Sequence, residues 1–207
     1  MLSLPNQDTS DLSLGLLSSD GRFKRLPLSE VVDLSGRATS VLKLKEGVEL
    51  NHAVICRNQG TLILMSDIGR LLRLRVTEDC LPLMGRLAQG PMTMRLLPGE
   101  RLLGAISSEQ PQLMMVSRKG LMGYVDCSGL RYNQRGDLGS MAVDIEAESD
   151  RLVGISDGTG LVGLRTSKDR HGRMDPNEIN ITQPGEGLSH QTTLQLSLIH
   201  ISEPTRP

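Results

Sequence analysis

A twelve-residue stretch, Ser19 to Glu30 (SDGRFKRLPLSE), returns three more times along this chain, and that return constrains the fold more than any other feature. Ser66 to Glu78 (SDIGRLLRLRVTE) places Gly69 on Gly21, and the same shift of 48 residues brings Arg70 onto Arg22, Arg73 onto Arg25, Leu74 onto Leu26 and Glu78 onto Glu30. Ser117 to Ser128 (SRKGLMGYVDCS) holds Gly120 at the glycine position, with Leu121 and Tyr124 in place of the two arginines. Ser167 to Glu178 (SKDRHGRMDPNE) lies on the first copy without a gap, keeping Ser167, Arg170, Arg173 and Glu178, with Asp169 where the others have glycine. The period is about 49 residues. Self-similarity at a fixed spacing of this size means an array of one supersecondary unit, each copy burying its faces against its neighbours.

The unit reads as strands. Leu14, Leu16 and Leu17 run into Asp20-Gly21, a strong hairpin turn signal, and Phe23 to Leu28 is the return strand. Val41 to Leu44 alternates apolar residues with Lys43 and Lys45 and is expected to be a third strand, with Ala53 to Cys56 a short fourth. Later rounds keep this order. Leu62 to Met65, Leu113 to Val116 and Leu161 to Leu164 lead into the serine-bearing turns, and Arg101 to Ser107 and Arg151 to Ser156 close their rounds. An all-β, propeller-like array of four-stranded blades follows, with about 3.5 blades over residues 12–182 in an incomplete ring. Period-two runs disfavour a helical solenoid, and a chain without Trp cannot carry the Trp-Asp blade signature.

Composition narrows the function. With one Phe, two Tyr and no Trp, aromatic platforms for single strands or RNA bases are nearly unavailable. Cys56, Cys80 and Cys127 are odd in number and widely spaced, which supports neither a disulfide framework nor a zinc knuckle; a reducing cytoplasm fits them best. His52, His171, His190 and His200 lack the spacing of ligand pairs and read as structural or solvated. No Walker loop is present. No apolar run approaches a membrane span, and residues 1–11 read as a linker or truncated start rather than a signal peptide.

The sharpest periodicity lies in the loops. Arg37, Arg86 and Arg135 are 49 residues apart and each adjoins a glycine; the fourth position is Pro184, where the series stops. Any one of them alone is a solvated neighbour of a loop glycine, but three in register suggest a shared surface. Arg22, Lys24 and Arg25, then Arg70 and Arg73, then Lys168, Arg170 and Arg173 recur with the motif, and singly each is a charge protecting a strand edge. Together they predict a basic stripe along one rim, which a formal net charge of -1 does not forbid.

SDGRFKRLPLSE, followed by a Gly-Arg loop and then RLLGAIS or RLVGIS, resembles the C-terminal domain of the A subunits of DNA gyrase and topoisomerase IV, from about Leu12 to Ile181. The resemblance implies a propeller-like β-pinwheel whose blades exchange strands, and a basic rim that bends double-stranded DNA. It implies DNA contacts at Arg37, Arg86, Arg135, Gln134, Arg22, Lys24, Arg25, Arg70, Arg73, Arg170 and Arg173. Gyrase A subunits usually carry a basic box, QRRGGKG; the nearest stretch here, Gln134 to Gly139 (QRGDLG), is a residue shorter and gains an acid. That departure argues against strong chiral wrapping and sits closer to the topoisomerase IV type or to a divergent gyrase. By the same resemblance the strand-cutting core lies upstream, the parent enzyme is a bacterial, cytoplasmic, nucleoid-associated topoisomerase using ATP and Mg, and its A subunit works with a B subunit. No catalytic, cofactor or metal residue is expected in this stretch. Tyr124 takes an arginine position, and Arg131-Tyr132 reproduces the arginine-tyrosine order of a cleavage centre only by coincidence. The competing function is a propeller scaffold that binds another protein through its rim, with the arginines serving solubility.

From Gln183 onward the repeat dissolves. The final LSLIHISEPTRP, residues 196–207, resembles translated sequencing-adapter read-through and is set aside from the fold; the chain is therefore expected to be a fragment.

Overall fold

A computed structural model describes residues 9–32, 39–108, 110, 112–146, 148–166, 171–179, 181–190 and 199–202. The chain falls into two compact units. The first comprises Met1–Leu64, Leu72–Glu109 and Tyr132–Gly139, the second Met65–Leu71, Gln110–Arg131 and Ser140–Pro207. The helices among the described residues are α1 (Ser29–Val32) and a three-residue 3-10 turn at Pro176–Glu178, and none is long and apolar enough to cross a membrane.

Each of the first three motif copies carries the turn of a β-hairpin. β1 (Leu12–Ser18) pairs antiparallel with β2 (Phe23–Pro27), and β3 (Leu50–Arg57) adds to the other edge of β1. The second round repeats this with β4 (Thr61–Ser66), β5 (Arg70–Arg75) and β6 (Leu102–Ser107), in the order β6-β4-β5. The third uses β7 (Gln112–Ser117) and β8 (Leu121–Asp126), after which β9 (Ser140–Met141) returns to pair with β5 at Arg70 and Leu71. β10 (Leu152–Ser156) then closes on β7. The fourth hairpin is β11 (Val162–Thr166) with β12 (His171–Met174). The turn glycines explain the phase: Gly21, Gly69 and Gly120 have φ of 87°, 90° and 87°, a region L side chains enter only at a cost. Asp169, their fourth counterpart, lies outside the described residues.

The outer edge of each complete hairpin is covered by a segment from the following round. Thr93 and Met94 donate their N–H groups to Gly21 O at 2.9 and 3.0 Å, Arg22 bridges Met92 antiparallel, and Arg25 bridges Leu83 in parallel. One round later Ala142 N–H donates to Gly69 O at 2.9 Å beside the β5–β9 pair. On β8, β13 (Ile181–Thr182) pairs in parallel at Tyr124 and Val125, and β14 (Ser189–His190) antiparallel at Leu121 and Met122. The antiparallel donor therefore comes about seventy residues after its hairpin. This corrects one expectation. Val41 to Leu44 forms no strand, because it is the first-round counterpart of these donors and no hairpin precedes β1 among the described residues to receive it. Instead Val41 and Leu42 pack beside Leu14, Leu16, Leu26 and Leu28.

Strand alternation is incomplete because the first hairpin buries both faces. Leu14, Leu16, Leu26 and Leu28 form one cluster, whereas Leu17 and Phe23 join Cys56, Leu62, Leu64, Leu72 and Leu74 in another. The second unit packs Met114, Val116, Met122, Val162, Leu164, Met174 and Ile179. Aliphatic residues and methionine fill these cores, as a chain nearly without aromatics requires.

In the tail, β15 (Ile199–Ser202) pairs antiparallel with β11, so these four residues do join a sheet. Ile-His-Ile-Ser is a short β-prone alternation, and such a segment adds to an open edge through its backbone whatever its origin.

Candidate nucleic-acid interface

Exposure divides the basic residues into two classes. Arg86 and Arg135, in loops one period apart, are exposed, as are Gln134 and Arg173. The Arg86 loop turns at Gly85, where Ala88 N–H donates to Gly85 O at 3.1 Å. The Gln134-Arg135 loop turns through Gly136 (φ 88°) and is tied at its base: Gln134 N–H donates to Asp137 Oδ2 at 2.9 Å, and Gly136 N–H to Thr93 O at 2.8 Å. Arg135 Nη1 also donates to Cys80 O at 3.3 Å. Asp137, the acid that interrupts the expected basic box, is thus the acceptor that shapes its turn.

The second class faces inward. Lys24 is 0% exposed, opposite Leu16 in the β1–β2 ladder, and its ammonium donates to Val41 O at 2.7 Å and to Arg86 O. Burial pulls its pKa below the usual lysine value, opposed by the charge of Glu30. Arg25 is 2% exposed; Nη1 donates to Asn58 Oδ1 at 2.8 Å and Nη2 pairs with Glu78. Arg70 is buried as well. Arg22 is one-quarter exposed, paired with Asp20 at 3.2 Å and donating to Gly90 O at 3.1 Å. Lys24, Arg25 and Arg70 therefore do not lie on a solvent-facing stripe: a strand buried on both faces draws its long side chains inward, where Lys24 finds backbone carbonyls and Arg25 finds Asn58 and Glu78, although Arg25 Nε is left without a hydrogen bond among the described residues. Arg37 and Arg170 fall outside the described residues.

Arg73 behaves differently again. Its guanidinium lies 4.4 Å from the centroid of the Tyr132 ring and donates to Tyr132 Oη at 3.4 Å, while Arg75 sits 4.1 Å from the same ring. Tyr132 Oη also shares a hydrogen bond with Thr61 Oγ1 at 2.8 Å. That bond, outweighing partial burial and assisted by the two arginines, lowers the phenol pKa. Tyr132 is a structural clasp between rounds. Arg75 and Arg95 are exposed cations that the repeat did not single out; Arg95 Nε donates to Gly136 O at 2.5 Å, at the foot of the Arg135 loop. The third arginine of Arg-Leu-Leu-Arg-Leu-Arg was a signal for Arg75, whereas Arg95 has no counterpart in the other rounds.

Among the described residues no group of three His, Cys, Asp or Glu side chains could hold a metal ion. Burial pushes the Cys56 thiol up to about 12. Cys127 is buried too.

Comparison with known proteins agrees with this architecture. The sequence model of a family described as DNA gyrase C-terminal domain, beta-propeller, matches residues 16–57 and 60–109. The chain is 30% identical over 159 residues to the A subunit of DNA topoisomerase 4 from Synechocystis sp., covering 72% of this chain and 17% of that protein. It is 27% identical over 160 residues to the A subunit of DNA gyrase from Mycolicibacterium smegmatis, covering 74% of this chain and 19% of that protein. The chain thus spans less than a fifth of the length of these relatives. Among solved structures, the C-terminal domain of DNA topoisomerase IV superposes with a TM-score of 0.79 at 15% identity, over 97% of this chain and 65% of that one. The DNA gyrase A C-terminal domain gives 0.74 at 18% identity, over 97% and 72%. With repeated hairpins, strand-exchanging edges and Gly-Arg loops in phase, the chain belongs to the family of C-terminal domains found in the A subunits of DNA gyrase and topoisomerase IV.

Proposed function

We propose that this chain binds double-stranded DNA as the C-terminal domain of the A subunit of a type IIA topoisomerase, and that it bends the duplex along exposed arginines. The carrying observation is that Arg86 and Arg135 stand exposed in equivalent, internally tied loops, presenting guanidinium groups at a fixed chain period. Arg173 and the partly exposed Arg22 extend the cationic set, with Arg37 and Arg170 as its sequence counterparts in the remaining copies. Such contacts meet phosphates, which position a duplex without reading its bases. In the parent protein the cleavage core, the B subunit, ATP and Mg supply strand passage in the bacterial cytoplasm. The described residues of this chain offer no metal site for that chemistry.

Each phosphate contact contributes about 0.9 to the slope of log affinity against log salt, so three to six contacts give a slope of roughly -3 to -5. Replacing Arg37, Arg86 and Arg135 together by Ala flattens that slope by about two to three units and weakens all sequences alike. A protein-binding scaffold shows no such slope. A folded chain whose duplex affinity does not rise when salt falls to about 50 mM, where phosphate contacts are strong, refutes the reading.

A further inference from the structure

The basic residues of the first hairpin share one target, the segment of the next round that carries Arg86, beside contacts of their own to Asp20, Val41 and Asn58. Arg22 Nη1 donates to Gly90 O at 3.1 Å. Lys24 Nζ donates to the carbonyl of Arg86 itself and, at 2.7 Å, to Val41 O, so one ammonium ties two loop segments. Arg25 holds the near side twice: its carbonyl accepts from Met84 N–H at 2.8 Å, and its guanidinium pairs with Glu78, whose other oxygen accepts from Leu83 N–H at 3.1 Å. The second hairpin repeats the arrangement with different chemistry. Arg73 O accepts from Asn133 N–H at 2.8 Å and its guanidinium bears on Tyr132, immediately before Gln134 and Arg135.

We infer that Lys24, assisted by Arg22 and Arg25, is a positioning residue: it never meets the ligand, and it fixes the Arg86 loop in the place from which Arg86 acts. The inference deepens the DNA-binding reading and rests on it for the role of Arg86, whereas the hold on the loop is a separate fact. Lys24 suits the task because its stem lies on the apolar face with Leu14, Leu16 and Leu26 while its head reaches the carbonyls of Val41 and Arg86. An isosteric apolar residue fills the same volume and leaves Arg86 O without that donor.

The test uses Lys24→Met and Lys24→Arg in the full chain, read first by residue-resolved amide exchange. Loss of the hold accelerates exchange at Met84 and Ala88 by about tenfold or more in Lys24→Met, as for a local opening, while Met114 and Val116 in the β7–β8 ladder stay unchanged. Lys24→Arg, which keeps charge and donors, restores protection. Unchanged exchange at Met84 and Ala88, or equal acceleration everywhere, overturns the inference. The second readout is affinity for a short duplex at low salt. Arg86→Ala and Lys24→Met should each weaken binding, and the double variant should be no weaker than Arg86→Ala alone, because Lys24 acts only through that loop. Simple additivity overturns the positioning role. If Arg86→Ala alone leaves affinity unchanged, the DNA reading fails, and amide exchange still decides whether Lys24 holds the loop.

Discussion

Replacing Gly69 by Ala tests whether strand exchange holds the rounds together. The turn needs φ of 90°, which costs an L residue about 1–2 kcal/mol. A Cβ there would also lie 2.6 Å from Val143 O and 2.9 Å from Val143 Cγ1, so the incoming strand must retreat. Retreat sacrifices the Ala142 N–H bond to Gly69 O, worth about 0.5–1.5 kcal/mol, and loosens Val143, which is fully buried. The sum is about 1.5–3.5 kcal/mol. Gly47 supplies the control: its φ is 75°, but a Cβ there meets nothing within 4 Å, so Gly47→Ala carries the backbone penalty alone. Urea unfolding followed by circular dichroism should show Gly69→Ala shifting the midpoint further than Gly47→Ala, by about 0.5–1 M at ordinary urea slopes. Equal shifts would refute the claim that the exchanged backbone, rather than the turn alone, demands glycine.

Four further expectations accompany it. At pH 8 a thiol reagent should label half-buried Cys80 before unfolding and leave Cys56 untouched. Because Cys56 keeps its proton to about pH 12 when folded against 9.0 otherwise, its contribution to stability is complete below pH 9 and is lost as pH rises toward 12; the alkaline fall in urea midpoint should be shallower in Cys56→Ala. Tyr132→Phe keeps the ring beneath Arg73 and Arg75 but loses the bond with Thr61, at a cost of about 1 kcal/mol; Tyr132→Leu should cost roughly 0.5–1 kcal/mol more, both read from urea midpoints. A chain ending at His190 should match the full chain's midpoint if residues 196–207 are adapter-derived, and a clear loss of stability would show that β15 was selected to pack.

The turns were legible in the sequence because a positive φ restricts the residue type, so Gly21, Gly69 and Gly120 carry the phase whatever surrounds them. The central hairpin strands were legible from their apolar runs. What the period does not encode is which hairpin a segment serves: Val41 to Leu44 has the alternation of a strand, but alternation says nothing of a partner, and its counterparts Met92, Met141 and Ser189 each pair with the hairpin before their own. Charge misleads in the same place. Lys24 and Arg25 read as surface because lysine and arginine rarely bury, and only the two-sided burial of the hairpin turns them inward. Arg86 and Arg135 read correctly as exposed because glycine-bearing loops seldom enter a core.

Strand exchange also sets a clock on synthesis. A hairpin leaves the ribosome about seventy residues before the segment that covers its outer edge, and at about 5–20 residues per second that edge waits roughly 4–14 s. During that interval β2 and β5 offer unpaired backbone to any matching strand, and neighbouring nascent copies of the same sequence carry donors of the right register. Crowded translation should therefore favour swapped assemblies over monomers. Slower initiation, which spaces the ribosomes, should restore the monomer without any change in the amino-acid sequence.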